Sequence, residues 1–131
     1  MLLDLPCDAK SYSPQALAFI GDAVYTLLSR EYTLCMGNCP AGKLHSRSVE
    51  QVRCEAQAAG LEVIVPLLNE TEADICRRGR NTHTAHTPKN STSADYHAAT
   101  ALEALFGWLY VNGENERLKE LYKVITERQM L

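Results

Sequence analysis

SPQALAFIGDAVYTLLSREY, residues 13–32, decides how this chain folds. Ser13 before Pro14 opens a helix: a serine hydroxyl can cap the first turn, and proline at the first helical position loses nothing by lacking an N–H. At 100° per residue, Leu17, Ile20, Val24, Leu27 and Leu28 fall on one apolar stripe, and the helix they define runs to about Tyr32. Asp22 lies well off that stripe, on a side shared with Gln15, Ala18 and Ser29. Gly21 stands directly before it, although glycine inside a helix costs about 1 kcal/mol relative to alanine. A glycine in so regular a pattern predicts the close approach of another backbone.

Working outward, the same periodicity recurs. The loop around Gly37, Pro40 and Gly42 leads to a second predicted helix over 43–59, which Gly60 ends. Residues 61–68 read as a brief helix broken at Pro66. Asn69, three residues before Glu72, has the spacing of a capping box and starts a helix that runs to Arg78 and stops at Gly79. A polar loop over 81–93 follows, and Ser93 is the expected cap of a helix over 95–111 with Leu102, Leu105 and Leu109 on one stripe. Asn112-Gly113 closes it, and a last helix over 114–128 buries Leu118, Leu121 and Ile125. No run of alternating β-branched residues competes, so the fold class is all-α, a helical bundle.

A length of 131 residues with 46% hydrophobic content suits one domain with a single core, spanning 1–131. Residues 1–6 include three leucines but neither a basic region nor a sustained apolar run, so no signal peptide is expected. No stretch reaches the roughly 18 apolar residues of a membrane span, and a cytoplasmic location follows as the expectation. Five cysteines, an odd number, read as free thiols rather than a disulfide framework. Cys35, Cys39 and His45 lack a second paired cluster that would make a zinc site.

The net charge of −3 argues against gripping nucleic acid by bulk electrostatics. The distribution points the other way. Residues 75–94 contain no Asp or Glu, while Arg77, Arg78, Arg80 and Lys89 fall there beside His83 and His86. A basic stretch within an acidic chain is the pattern of a local phosphate contact, and equally of a helix end with cations against its dipole, followed by a solvated loop.

Glu103 repeats the arrangement around Asp22. It lies off the leucine stripe of its helix, with Ala99 one turn before and Gly107 one turn after. Two such carboxylates facing each other across a helix–helix cleft would suit a hard cation such as Mg²⁺. From spacing alone, two solvated surface acids fit as well.

The motifs add what spacing leaves open. Leu17-Ala18-Phe19-Ile20-Gly21-Asp22-Ala23-Val24 resembles the signature helix of ribonuclease III domains, and Leu102-Glu103-Ala104-Leu105-Phe106-Gly107 resembles their second acidic motif. Arg77-Arg78-Gly79-Arg80-Asn81 and Pro88-Lys89-Asn90, in so short a chain, resemble the Mini-ribonuclease III subfamily, which has the catalytic domain and no separate double-stranded-RNA-binding domain. The resemblance implies a metal-dependent endoribonuclease that cuts double-stranded RNA, leaving 5′-phosphate and 3′-hydroxyl ends. It implies Asp22 and Glu103 as catalytic metal ligands for Mg²⁺, with Mn²⁺ as a substitute. It also implies a homodimer, and as substrate the duplex of the large-subunit (23S) ribosomal RNA precursor.

Where larger members of the family carry further acids, this chain has Gln15, Ala18 and Thr100. Gln15 and Thr100 are read as supports acting on the cation through water. Arg78, Arg80, Lys89 and Asn90 are the expected RNA contacts, since duplex RNA is read mainly through phosphates and 2′-hydroxyls. The rival reading is a non-catalytic RNA-binding or ribosome-assembly factor that kept the fold and lost metal ligands. A helical nucleotide pyrophosphohydrolase ranks behind both, because closely spaced glutamates on one helix are missing.

Overall fold

In the computed structural model, residues 1–82 and 91–129 are described. They form six α-helices: α1 (Pro14–Cys35), α2 (Ala41–Val52), α3 (Cys54–Ile64), α4 (Glu70–Arg80), α5 (Ser93–Val111) and α6 (Asn115–Gln129). Single 3-10 turns occur at Ala9–Ser11 and Val65–Leu67, and there is no strand among the described residues. The fold is all-α, as the periodicity requires.

The local signals act where the sequence puts them. The Ser13 hydroxyl accepts a hydrogen bond from the Ala16 N–H at 3.1 Å, with Pro14 in the first turn. The Asn69 side chain accepts from the Glu72 N–H at 2.8 Å while Glu72 accepts from the Asn69 N–H at 3.0 Å, a complete capping box.

α5 is the axis of the bundle. Ala101, Leu102, Ala104, Leu105, Phe106 and Leu109 are wholly enclosed, because α1, α3, α4 and α6 pack around them. A helix apolar on nearly every side is stable only when buried on nearly every side. Leu118, Leu121 and Ile125 of α6 and Val24 and Tyr25 of α1 complete the core, with the Tyr25 ring 5.1 Å from Phe106 and 5.5 Å from Tyr122.

Four local expectations need correcting. The helix expected over 43–59 is two helices, interrupted at Arg53, whose backbone is extended (φ −64°, ψ 152°). α3 passes through Gly60, where a Cβ would sit 3.2 Å from Ile125 of α6, so that glycine serves packing and does not end the helix. Gly79 likewise lies within α4, where a Cβ would be 3.0 Å from the Ala101 backbone of α5. Thr92 caps α5 through the Asp95 N–H at 3.0 Å, one residue ahead of the expected Ser93.

A further difference concerns the face of α1. Its buried edge follows Leu17, Gly21, Val24, Tyr25 and Ser29, which leaves Leu27 52% exposed and Phe19 82% exposed on the opposite side.

Candidate active site

Two glycines set the crossing of α1 and α5. A Cβ on Gly21 would overlap the Glu103 carbonyl oxygen and lie 2.9 Å from the Gly107 nitrogen. A Cβ on Gly107 would overlap the Leu17 carbonyl oxygen and approach Ile20 to 3.0 Å. The backbones therefore touch at both points, as the glycine before Asp22 predicted. Asp22 follows Gly21 directly and Glu103 precedes Gly107 by one turn, so the same contact that packs the helices brings the two carboxylates together.

The Asp22 and Glu103 carboxyls are joined by a hydrogen bond. Burial pushes the Glu103 carboxyl up to about 8; the neighbouring Asp22 charge and that hydrogen bond push the same way. Opposing them, the side chain of Gln57 on α3 favours the ionised form. The partly buried Glu103 carboxyl thus keeps its proton to higher pH than an ordinary glutamate, beside an Asp22 that is exposed to solvent.

The pair opens onto a cleft of about 760 Å³ lined also by Gln15, Ala18, Phe19, Thr26, Arg30, Thr82, Tyr96 and Thr100. A hard divalent cation fits this donor set. Asp22 and Glu103 present convergent carboxyl oxygens, Glu103 would give up its proton to a bound cation, and the open side leaves room for the waters that Mg²⁺ keeps. No group of three or more His, Cys, Asp or Glu side chains comes together among the described residues. All five cysteines are free, with Cys76 alone buried.

The remaining candidates are distributed as follows. Gln15 is exposed on the cleft wall. Thr100 is buried at its edge and donates its hydroxyl to the Tyr96 carbonyl at 3.0 Å, which leaves its oxygen lone pairs for any water in the cleft. Arg78 and Arg80 are exposed in the last turn of α4. Arg80 lines a hollow with Asn81, Thr82 and His97, and Thr82 is shared between that hollow and the carboxylate cleft. Arg77 is paired with Asp74 on its own helix. Lys89 and Asn90 lie outside the described residues.

Sequence reasoning passed over Gln57, Arg30, Thr82 and Tyr96. A glutamine amid alanines in α3 carries no periodic signal, and its role depends on which helix faces it. The exposed Phe19 was visible in the sequence only as part of a motif.

A compact helical bundle whose central helix meets the signature helix at a paired-carboxylate cleft defines a class. Residues 15–114 match the Ribonuclease III domain family, and the chain belongs to that family, a class of endoribonucleases. Among named relatives it is similar to Mini-ribonuclease 3 of Thermoanaerobacter sp. (strain X514), 46% identical over 87% of this chain and 80% of that one. Mini-ribonuclease 3 of Synechocystis sp. (strain PCC 6803) is 41% identical over 92% of this chain and 84% of its own. A crystal structure of a protein from Fusobacterium nucleatum superposes with a TM-score of 0.84 at 29% identity, covering 92% of this chain and 99% of that one.

Proposed function

We propose that the chain is a single catalytic domain that hydrolyses phosphodiester bonds in double-stranded RNA with the help of Mg²⁺ or Mn²⁺. The observation that carries this reading is the Asp22–Glu103 pair, two carboxyls in hydrogen-bond contact at the mouth of a cleft wide enough for a phosphate backbone. Glu103, held in the wall, and Asp22, exposed beside it, would hold the cation. What that cation supplies when bound is Lewis acidity toward the phosphate and a lowered pKa for water. Asp22, facing solvent, orients the water that attacks in line, which leaves 5′-phosphate and 3′-hydroxyl ends. Gln15 and Thr100 line the approach and hold water there.

Arg78 and Arg80, with Lys89 and Asn90 beyond them in the chain, serve as backbone contacts for RNA beside the cleft. A second copy of the chain completes the enzyme. Phe19 is 82% exposed on the helix that carries Asp22, with Ala23 and Leu27 on the following turns. Apolar side chains grouped on one exposed face are the mark of a contact surface. A twofold dimer through this face would set one carboxylate pair near each strand of a duplex. The substrate class is structured precursor RNA, with the ends of the large-subunit ribosomal RNA precursor as the candidate, in the cytoplasm. No helix among the described residues is long and apolar enough to cross a membrane.

The test is cleavage of a base-paired RNA by the purified protein with Mg²⁺ and with chelator, beside Asp22→Asn. Metal-dependent cutting that Asp22→Asn abolishes is the expected result. One observation favours the rival, a non-catalytic RNA-binding factor: the described residues bring only two acids together where a metal would sit. Duplex binding without cutting at any Mg²⁺ or Mn²⁺ concentration would establish that rival.

A further inference from the structure

Thr82, just past the end of α4, lines the carboxylate cleft and also a second hollow of about 380 Å³, which it shares with Arg80, Asn81 and His97. Tyr96 belongs to the cleft wall, and its ring lies edge-on to that of His97 with centroids 6.0 Å apart, so neighbouring residues of α5 face the two spaces. His97 stands six residues before Glu103, about 9 Å along the helix. The described lining of the hollow holds a guanidinium, an amide and an imidazole, and no carboxylate. Arg80 enters no salt bridge among the described residues. The Thr82 hydroxyl is committed as a donor to the Arg78 carbonyl at 3.2 Å.

His97 adds an independent observation. Its Nδ1 is the one enclosed side-chain nitrogen or oxygen without a hydrogen-bond partner among the described residues. Buried polar atoms in native folds are nearly always partnered, so this one calls for a cause. A proton on Nδ1 would be an enclosed N–H with no acceptor, whereas a proton on Nε2 leaves only a lone pair enclosed. The second tautomer is the less costly. With Nδ1 shut in, Nε2 is the ring nitrogen left to face the hollow, and it does so as a donor. Nε2–H, the Asn81 amide and the Arg80 guanidinium then surround one space with donors. Such a space suits an oxyanion.

We propose that this hollow is a phosphate subsite of the RNA track, in which His97 Nε2–H and the Arg80 guanidinium hold a phosphodiester that flanks the bond being cut. This rests on the reading of the carboxylate cleft as the place where duplex RNA is cut. Arg80 supplies the charge, and His97 supplies an uncharged hydrogen bond of fixed direction.

The test compares His97→Phe, which keeps the bulk of the ring and loses the donor, with His97→Gln, which places an amide donor near the position of Nε2. Affinity for duplex RNA is measured in chelator across a salt series, with KM in Mg²⁺ alongside. His97→Phe is expected to bind about tenfold more weakly, as loss of a hydrogen bond to a charged group implies. Its slope of log affinity against log salt should match the wild type, because no charge is lost, and KM should rise with the dissociation constant. His97→Gln should stay within about threefold of wild type. Duplexes carrying a single methylphosphonate locate the contact: neutralising one phosphate beside the cut bond should weaken the wild type and leave His97→Phe unaffected.

Wild-type affinity in His97→Phe, equal losses in the Phe and Gln variants, or equal methylphosphonate effects in wild type and His97→Phe would overturn the proposal and leave the cleft's reading standing. A wild-type protein that neither binds nor cuts duplex RNA would remove that reading, and the subsite with it. Should His97→Phe not fold, the imidazole nitrogens of the wild-type protein give the answer by NMR. The proton is expected on Nε2, whose signal should shift as duplex RNA is added. A proton on Nδ1, or a signal moved by inorganic phosphate and not by RNA, would overturn the proposal.

Discussion

Gly21 of α1 lies so close to Glu103 of α5 that a Cβ on the glycine would sit 2.6 Å from the Glu103 carbonyl carbon. The packing of the bundle and the pairing of the carboxylates are therefore one contact. Gly21→Ala must push the helices apart, and backbone on backbone cannot yield by a rotamer change. A loss of about 3 kcal/mol or more is expected, at the upper end of what overpacking costs. The thermal midpoint should fall by roughly 10 °C or more, measured by circular dichroism. Activity should fall further than stability explains, because Asp22 and Glu103 separate together. A variant that melts within a degree or two of wild type would contradict the crossing described for α1 and α5.

The carboxylate pair makes stability depend on pH in the metal-free protein. Glu103 is pushed up to about 8 in the folded state from an ordinary 4.5. Between those values the folded chain keeps a proton that the unfolded chain has released, so stability declines as pH rises through that window. Glu103→Gln, neutral at every pH, lacks this slope. In chelator at pH 8 its melting point should exceed that of the wild type by roughly 5 °C, and the gap should close near pH 4. Catalysis should be lost in the same variant, which would separate what the site costs the fold from what it does.

Glu72 and Arg117 behave oppositely. The guanidinium reaches Glu72 twice at 2.8 Å and the Leu67 carbonyl at 2.8 Å, tying the start of α6 to the capping box of α4. The hydrogen bond from Arg117 holds the Glu72 carboxyl below its ordinary value, against the opposing effect of burial. The pair therefore stabilises the fold above about pH 4.5, and that contribution disappears as acid protonates Glu72. Arg117→Met leaves a nearly enclosed carboxylate without its cation, held only by the Asn69 N–H, and should cost about 3 kcal/mol at neutral pH, with a much smaller loss at pH 3, by denaturant titration.

Phe19 offers a test of assembly. Phe19→Glu puts a charge where an apolar face would meet a second copy, while the side chain is already 82% exposed and outside the core. Sedimentation should give a monomer of unchanged helicity, and cleavage of duplex RNA should drop at least tenfold. A wild-type protein that is monomeric at the concentrations where it cuts would sink the dimer reading.

Arg80→Ala addresses the basic end of α4. Losing one phosphate contact should weaken duplex RNA binding at every sequence and reduce the slope of log affinity against log salt by about one. Binding that is unchanged from low to high salt would leave Arg80 as a cation favourably placed at a helix C-terminus and nothing more.

The sequence by itself determined the helices and their chemistry of initiation. Ser13 with Pro14, and Asn69 with Glu72, act through neighbours three residues away, so no distant residue can change their meaning. The leucines of α5 and α6 are buried as their spacing requires. The motifs around Asp22 and Glu103 singled out both acids, and the α1–α5 crossing brings them side by side. Tertiary structure decided everything that depends on which helix faces which. It split the second helix at Arg53 and made Gly60 and Gly79 packing contacts rather than stops. It turned Leu27 outward, and it buried Gln57. Asp22 and Glu103 are far apart along the chain, and the free energy that joins them lies in the α1–α5 contact, which no local pattern encodes.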